Sequence, residues 1–149
     1  MRADSRLSRV IHVLLHLSET KDPITSEVIA KMLNTNSVVV RRTMSGLKKK
    51  FIVGSTKGHK GGWVLAKPLR DISLLDLYEA IEISRLFAID AGQENSTCLV
   101  ERIANQSVED AMEKAKSVFL QHLAKVNLED LNDEFKQELA FIKKVYENH

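Results

Sequence analysis

The chain has 149 residues, of which 44% are hydrophobic and 28% charged, and its formal net charge is +2. This length suits one domain, or a small domain with an extension. No apolar run approaches the roughly 18 residues of a membrane helix, and the first ten residues lack the apolar core of a signal peptide. The single cysteine excludes a disulfide within the chain. We therefore expect a cytoplasmic protein that has no membrane partner.

The first predicted elements are three helices. Apolar residues recur at helical spacing over residues 3–18. Asp-Pro at 22–23 interrupts the chain, and a second helix capped by a threonine is predicted over residues 25–33. The Asn-rich stretch 34–36 favours a turn, and a third helix is predicted over residues 38–50. This order is that of a helix-turn-helix.

A short β-hairpin is predicted after the third helix. The apolar runs 51–53 and 63–65 favour two strands, and the stretch 54–62 between them holds four glycines among basic residues. Glycines at a hairpin tip let the backbone approach another molecule closely. The span from Val28 to Arg70 contains ten Lys or Arg residues and no Asp or Glu. Such a span is typical of a surface that binds a polyanion, since an ordinary solvated face mixes both signs.

The second half of the chain carries the opposite charge and reads as helical. Residues 1–70 hold 14 Lys/Arg and 4 Asp/Glu, whereas residues 71–149 hold 8 and 16. Capping boxes at 73–76 and 107–110 predict the starts of a fourth helix and of a long helix, with a short helix at 98–104 between them. Another cap at 127–130 precedes a last helix. The long helix has a seam for pairing with a second copy, formed by Val108, Met112, Ala115, Phe119, His122 and Val126.

The candidate DNA contacts lie on the third helix and the hairpin. The start of the third helix would face base edges in the major groove, where the planar fork of arginine pairs with guanine or phosphate. Hairpin cations and backbone amides would lie against phosphates or in a minor groove. The predicted contacts are Ser37, Val38, Arg41, Arg42, Ser45, Lys49, Lys57, His59, Lys60, Gly61 and Gly62. The alternative is an ordinary helical hairpin with a basic rim.

The hairpin also carries a family resemblance. The pattern Lys57-Gly58-x-x-Gly61-Gly62-Trp63-x-Leu65-Ala66 resembles the wing signature of the Rrf2 family, bacterial winged-helix transcription regulators that include IscR, NsrR and CymR. The stretches 29–33, 72–76 and 126–131 are also similar, so that the resemblance covers about residues 3–131. It implies a homodimer that binds a pseudo-palindromic operator on double-stranded DNA, with the helix from Ser107 pairing the subunits.

The chain departs from the family in its cysteines. Many members hold an iron–sulfur cluster through three cysteines before the dimerisation helix, but this chain has only Cys98. We therefore predict no cluster, no other cofactor and no metal, although His12 and His16 have a spacing that could chelate an ion. Cys98 is either a redox-sensing thiol in the first turn of a helix or a small buried hydrophobic residue.

Together these observations predict a mainly α fold with a small β-hairpin wing, a winged helix-turn-helix followed by a long dimerisation helix. Residues 1–70 would bind DNA, and residues 71–149 would form a linker, a sensing loop and the helical dimerisation region. No arrangement of catalytic residues is visible, so an enzyme is not expected. The predicted function is sequence-specific transcription regulation, most simply repression, under an unidentified small-molecule or protein effector acting near residues 88–104. The alternatives are a winged helix that binds only proteins and a small-molecule-binding module.

Overall fold

The computed structural model describes residues 4–92 and 96–147. The described part is mainly helical, with one two-stranded antiparallel hairpin. Its elements in chain order are α1 (Arg6–Glu19), α2 (Ser26–Met32), α3 (Ser37–Lys49), β1 (Val53–Thr56), β2 (Gly62–Leu65), a short 3-10 helix (Leu69–Asp71), α4 (Leu74–Ala80), α5 (Leu99–Lys125) and α6 (Leu128–Glu147). The predicted fold class, a winged helix-turn-helix with a long helix after it, is confirmed.

Side-chain caps start three of the helices where the sequence predicts them. The Thr25 hydroxyl accepts a hydrogen bond from the Val28 amide at 3.3 Å, and Asn36 Oδ1 accepts one from the Val39 amide at 3.0 Å. At α4 the bonding is reciprocal, because Ser73 Oγ accepts from the Asp76 amide and the Asp76 carboxylate accepts from the Ser73 amide. These bonds satisfy amides that have no partner within the helix, and so they determine where each helix begins.

The first strand begins two residues later than predicted. Phe51 follows α3 in the left-handed region (φ 59°), and the amides of Phe51 and Ile52 donate to the carbonyls of Lys48 and Leu47. These two bonds close the helix C-terminus, so residues 51 and 52 cannot extend into a strand. β1 then pairs with β2 from Val53 opposite Leu65 to Thr56 opposite Gly62. Of the strand predicted at 51–53, only Val53 therefore belongs to β1.

One hydrophobic core joins the helices to the hairpin. Its fully buried members include Leu14 of α1, Met44 and Leu47 of α3, and Leu77 of α4. Leu128, at the start of α6, is buried in the same core, and its amide donates to the Ile72 carbonyl at 2.9 Å. The core therefore contains residues from both sides of position 70. The division of the chain into a DNA-binding part, residues 1–70, and a dimerisation and sensing part, residues 71–149, stays a prediction about function.

α5 is a single helix of 27 residues, whereas the sequence predicted a short helix, a break and a second start at Ser107. The predicted capping box lies in the interior of α5, because no glycine or proline separates the two predicted helices and the backbone ladder continues through Ser107. No helix in the described part of the chain combines the length and apolar character that a membrane crossing needs.

Candidate nucleic-acid interface

α3 presents a stripe of four predicted contact residues on its outward side. Val40, Met44 and Leu47 are buried and define the inward side of the helix. At about 100° per residue, the opposite side is occupied by positions four, three and four residues apart. These are Val38, Arg42, Ser45 and Lys49, all of them exposed. The packing of α3 thus brings these four side chains together on one solvent-facing line.

The other two predicted contacts on α3, Arg41 and Ser37, lie on its flank, and so does Lys48. Arg41 is exposed, and its Nη2 lies 2.6 Å from Oε1 of Glu27 on α2. Lys48 Nζ donates to Ser55 Oγ on β1 at 2.7 Å, which links the end of α3 to the hairpin. Ser37 is half-buried at the first turn. Arg41 and Ser37 are therefore placed beside the outward stripe, at the edge nearer α2.

The hairpin tip is a four-residue turn that exposes its cations. The Gly61 amide donates to the Gly58 carbonyl at 3.0 Å, so His59 and Lys60 occupy the two central positions of the turn. Gly58 has a φ of 99°, a conformation that side chains rarely adopt. Lys57, His59 and Lys60 are all exposed. The wing, residues 53–65, thus carries its positive charge at its outermost point.

Gly61 and Gly62 are required by packing within the chain. A Cβ atom on Gly61 would lie 2.5 Å from the Thr56 carbonyl oxygen, and one on Gly62 would lie 2.7 Å from the Ile24 backbone. Trp63 then pairs with Ile24 through two backbone hydrogen bonds, and its indole Nε1 donates to the buried Ser26 hydroxyl at 2.9 Å. The wing is consequently anchored to the start of α2, and its two glycines could contact a nucleic acid only through their backbone.

This surface has the chemistry of a DNA-binding site. Its cations come from an interval without acidic residues, and Glu27, the last acidic residue before that interval, pairs with Arg41. Val38 is 65% exposed and offers an apolar contact of the kind that thymine methyl groups accept. The sequence analysis missed Glu27 and Ser55 as residues that orient Arg41 and Lys48. The role of Glu27 could have been inferred from its position just before the acid-free span.

The predicted dimerisation seam is divided between two faces of α5. Met112 is half-buried, and the Phe119 ring packs edge-on against Tyr78 at 5.8 Å between centroids, so both face their own chain. Ala115 and His122 are exposed, Val108 is 38% exposed, and Val126 lies just beyond the helix end. An exposed apolar line runs beside this seam, shares Ala115 with it, and comprises Val100, Ala104, Ala111, Ala115 and Val118, which are four, seven, four and three residues apart.

Cys98 is exposed and occupies the N-cap position of α5, where its side chain makes no capping hydrogen bond, rather than lying within the first turn. The alternative that it is a buried hydrophobic residue is therefore wrong. Its amide donates to Ser96 Oγ at 3.2 Å. Within residues 4–92 and 96–147, no group of three or more His, Cys, Asp or Glu side chains is placed to hold a metal ion. With one thiol in the whole chain, the donor set does not fit an iron–sulfur cluster.

Comparison with known proteins agrees with this geometry. The sequence model of the Rrf2 family, described as iron-dependent transcriptional regulators, matches residues 3–134. YwnA of Bacillus subtilis, named as an HTH-type transcriptional regulator, is 36% identical over 129 residues, which are 86% of this chain and 95% of YwnA.

Solved structures extend the comparison. A crystal structure described as that of a DNA-binding protein has 35% identity and a TM-score of 0.70, and the match covers 85% of this chain and 98% of that one. IscR of T. potens shares the fold, with a TM-score of 0.67 at 18% identity over 93% of this chain and 90% of that one. The chain therefore belongs to the Rrf2 family, whose winged-helix members are DNA-binding transcription regulators and not enzymes.

Proposed function

We propose that this DNA-binding regulator is a repressor that acts in the cytoplasm and binds a pseudo-palindromic operator as a homodimer. The observation that carries the proposal is the outward stripe of α3, because Val38, Arg42 and Lys49 project from a helix whose opposite side is held rigidly by the core. A rigid helix that presents arginine and small side chains can enter a major groove and read base edges.

The contacts divide by chemistry. Arg42, on the outward stripe, would donate two hydrogen bonds to a guanine edge, and Val38 would touch a thymine methyl group. Lys57 and Lys60 at the wing tip would bind phosphates or enter the adjacent minor groove, and so they would add affinity without sequence information. Arg41 would stay beside the groove while Glu27 holds it, since a paired guanidinium has fewer free donors.

Dimerisation would use the exposed apolar line of α5. A 27-residue helix with one buried residue leaves most of its apolar side chains in water, which favours pairing with an equivalent helix. A two-fold dimer would place its two α3 helices one helical turn of DNA apart, about 34–36 Å. Repression would then follow from occupancy of the operator by both wings and both helices.

The proposal includes no iron. The family description mentions iron, but Cys98 is the single thiol of this chain, and the described residues contain no group of three or more His, Cys, Asp or Glu side chains placed to hold a metal ion. An effector of another chemical kind would have to change the spacing of the two DNA-binding heads, each formed by α1–α3 and the wing of one chain, because the operator fixes that spacing.

Selection of bound duplexes from a random DNA pool tests this proposal. We expect an inverted repeat, and an affinity whose logarithm falls by about 0.9 per neutralised phosphate against the logarithm of salt concentration. Recovery of unrelated sequences, or of a single half-site bound by a monomer, would contradict the proposal that a homodimer recognises a pseudo-palindromic operator. The selected operator sequence also points to candidate target genes, namely those that it precedes in the genome. Transcription of these genes should rise when the regulator is removed if it is a repressor.

Three substitutions then separate base contacts from phosphate contacts. Arg42→Ala should relax the choice of base at one position of each half-site, at a cost of about 1–3 kcal/mol for the preferred base. Lys60→Ala should weaken all sequences equally and reduce the salt dependence. Lys143→Ala, which removes an exposed cation from α6, is the matched control and should change neither. Equal losses on all sequences from Arg42→Ala would exclude Arg42 from base reading.

A further inference from the structure

A cleft lies between α5 and residues 82–92, the described part of the segment that follows α4. It has a volume of about 490 Å³, and its walls include Arg85, Ile89 and Asp90 from the segment and Arg102, Glu109 and Met112 from α5. A smaller hollow of about 190 Å³ continues along Met112 to Tyr78 and Phe87. This volume suits a small organic molecule, and none of these residues belongs to the DNA-binding surface.

The end of this α5 cleft is closely built. Gly92 has a φ of 89°, and a Cβ atom there would lie 2.7 Å from Oδ1 of Asn105 on α5. The Gly92 amide donates to Asp90 Oδ1 at 3.1 Å, so one oxygen of Asp90 is already used within the segment. The segment is therefore held against α5 by a position that only glycine fills without strain.

The charged groups of the cleft are of both signs. Arg85 and Arg102 each offer a guanidinium, Glu109 offers a carboxylate, and Asp90 keeps the carboxylate oxygen that does not accept from the Gly92 amide. Among the described residues, none of these four takes part in an ion pair within 4.0 Å. Ile89 in the wall is 65% exposed, and Met112 lies between the two hollows. The cleft thus combines open cationic, anionic and apolar groups within one volume.

We propose that the α5 cleft binds a small amphipathic zwitterion, with the chemistry of a free amino acid that has an apolar side chain. Arg85 and Arg102 would donate hydrogen bonds to its carboxylate, and Glu109 would accept from its ammonium group. Ile89 and Met112 would contact its apolar side chain. A simple dianion would be repelled by Glu109, and an uncharged hydrocarbon would leave the arginines without partners, so the balance of charges favours the zwitterion.

The cleft stays open in the dimer that we propose. At about 100° per residue, Arg102 and Glu109 lie on the side of α5 roughly opposite Val100, Ala111 and Val118, and Met112 lies about 100–120° around the helix from that line. Pairing of two copies along the exposed apolar line would therefore leave the cleft accessible to a ligand.

The end of α4, which precedes the cleft in the chain, contacts α3. Arg85 follows α4. At the end of α4, the carbonyl oxygen of Ala80 lies so close to α3 that a Cβ atom on Gly46 would be only 2.6 Å from it. Arg6 Nη1 donates to the Ile81 carbonyl at 3.0 Å and ties this end of α4 to α1. A ligand that moves Arg85 would shift α4 against α3. This regulatory role, unlike the binding itself, rests on the proposed function.

Calorimetry on the full-length protein without DNA tests the binding. The probes are L-leucine, L-methionine and L-phenylalanine, each compared with its N-acetylated form and its amide. We expect at least one amino acid to bind, and each capped form of it to bind about tenfold or more weakly. Absence of binding by all three, or equal binding of an N-acetylated form, would overturn the zwitterion site.

Substitutions locate the site and separate it from DNA binding. Arg102→Ala should abolish amino-acid binding, whereas Lys114→Ala, which removes an exposed cation from another face of α5, should not. With selected operator DNA, the amino acid should change the affinity of the unsubstituted protein but not that of Arg102→Ala, and both proteins should bind equally without it. An unchanged response in Arg102→Ala would overturn the site. Amino-acid binding without any DNA binding would instead refute the proposed function and leave the site standing.

Discussion

α3 and α5 are both amphipathic helices, yet one is completed by its own chain and the other is not. α3 has 13 residues and buries Val40, Met44 and Leu47 against α1, α2 and α4, so its outward side can vary without loss of the fold. α5 has 27 residues and buries only Leu123. The comparison teaches that the DNA-binding head is a folded unit in one chain, whereas the long helix has an apolar face for which a second chain is the expected partner.

The largest expected effect concerns the inward side of α3. Leu47 is fully buried, so Leu47→Ala should lower the free energy of unfolding by about 2–5 kcal/mol through lost burial and the cavity left behind. Val38→Ala, on the outward side of the same helix, should change it by less than about 0.5 kcal/mol. Urea denaturation monitored by circular dichroism measures both. Equal changes in the free energy of unfolding would mean that the outward side of α3 is packed as tightly as its inward side.

The next effect sharpens the contrast at α5. Val118 is 68% exposed, and Val118→Asp should weaken self-association by more than about tenfold, because it places a charge in the proposed apolar seam. Ser117→Asp adds the same charge on the same turn, about 100° around the helix, and should leave association nearly unchanged. Sedimentation equilibrium gives both constants, and circular dichroism confirms that the heads remain folded. Dimers of equal strength in both variants would place the interface elsewhere.

A smaller effect lies at the end of α3. Phe51 is 76% exposed in a left-handed conformation, so Phe51→Gly should raise the free energy of unfolding by about 0.5–1 kcal/mol, since little burial is lost and backbone strain is removed. Asn34→Gly is the matched control, because Asn34 ends α2 in the same conformation (φ 51°) and asparagine tolerates it. Urea denaturation should show a gain only for Phe51→Gly. A loss there would indicate that the Phe51 ring makes a stabilising contact.

The smallest expected effect concerns the ion pair between Asp4 and Arg6 at the start of α1. Hydrogen bonds from the Arg6 side chain and then its amide hold the pKa of Asp4 below its ordinary value, and the same pairing raises the pKa of Arg6. Because folding lowers the Asp4 pKa, this stabilisation is present above the unfolded-state value of about 3.9 and is lost as the pH falls through the folded-state value.

Asp4→Asn should therefore reduce stability at neutral pH by less than about 1 kcal/mol, as expected for an exposed pair. The difference from the unsubstituted protein should vanish in acid. Thermal unfolding as a function of pH measures it, with the exposed Asp133→Asn on α6 as the control. A difference that persists below the folded-state pKa would mean that Asp4 acts through something other than its charge.

Local signals were predicted well because they depend on neighbours within about four residues. The caps at Thr25, Asn36 and Ser73 form the bonds that their sequence spacing implies. The capping box at Ser107 has the same local pattern and yet starts no helix, because the continuous backbone ladder of α5 overrides it. A capping pattern therefore indicates a helix start only where something also ends the preceding helix.

The sequence by itself determined the order of the first three helices and the hairpin, the acid-free basic span and the wing signature, since each depends on residue type and short spacing. Only the tertiary structure decided which cations are held by partners, as Arg41 is by Glu27 and Lys48 by Ser55. It also decided that Met112 and Phe119 face their own chain, which leaves a different line of α5 exposed. The physical reason is that rotation of a helix is set by the surfaces packed against it, and those surfaces come from distant parts of the chain.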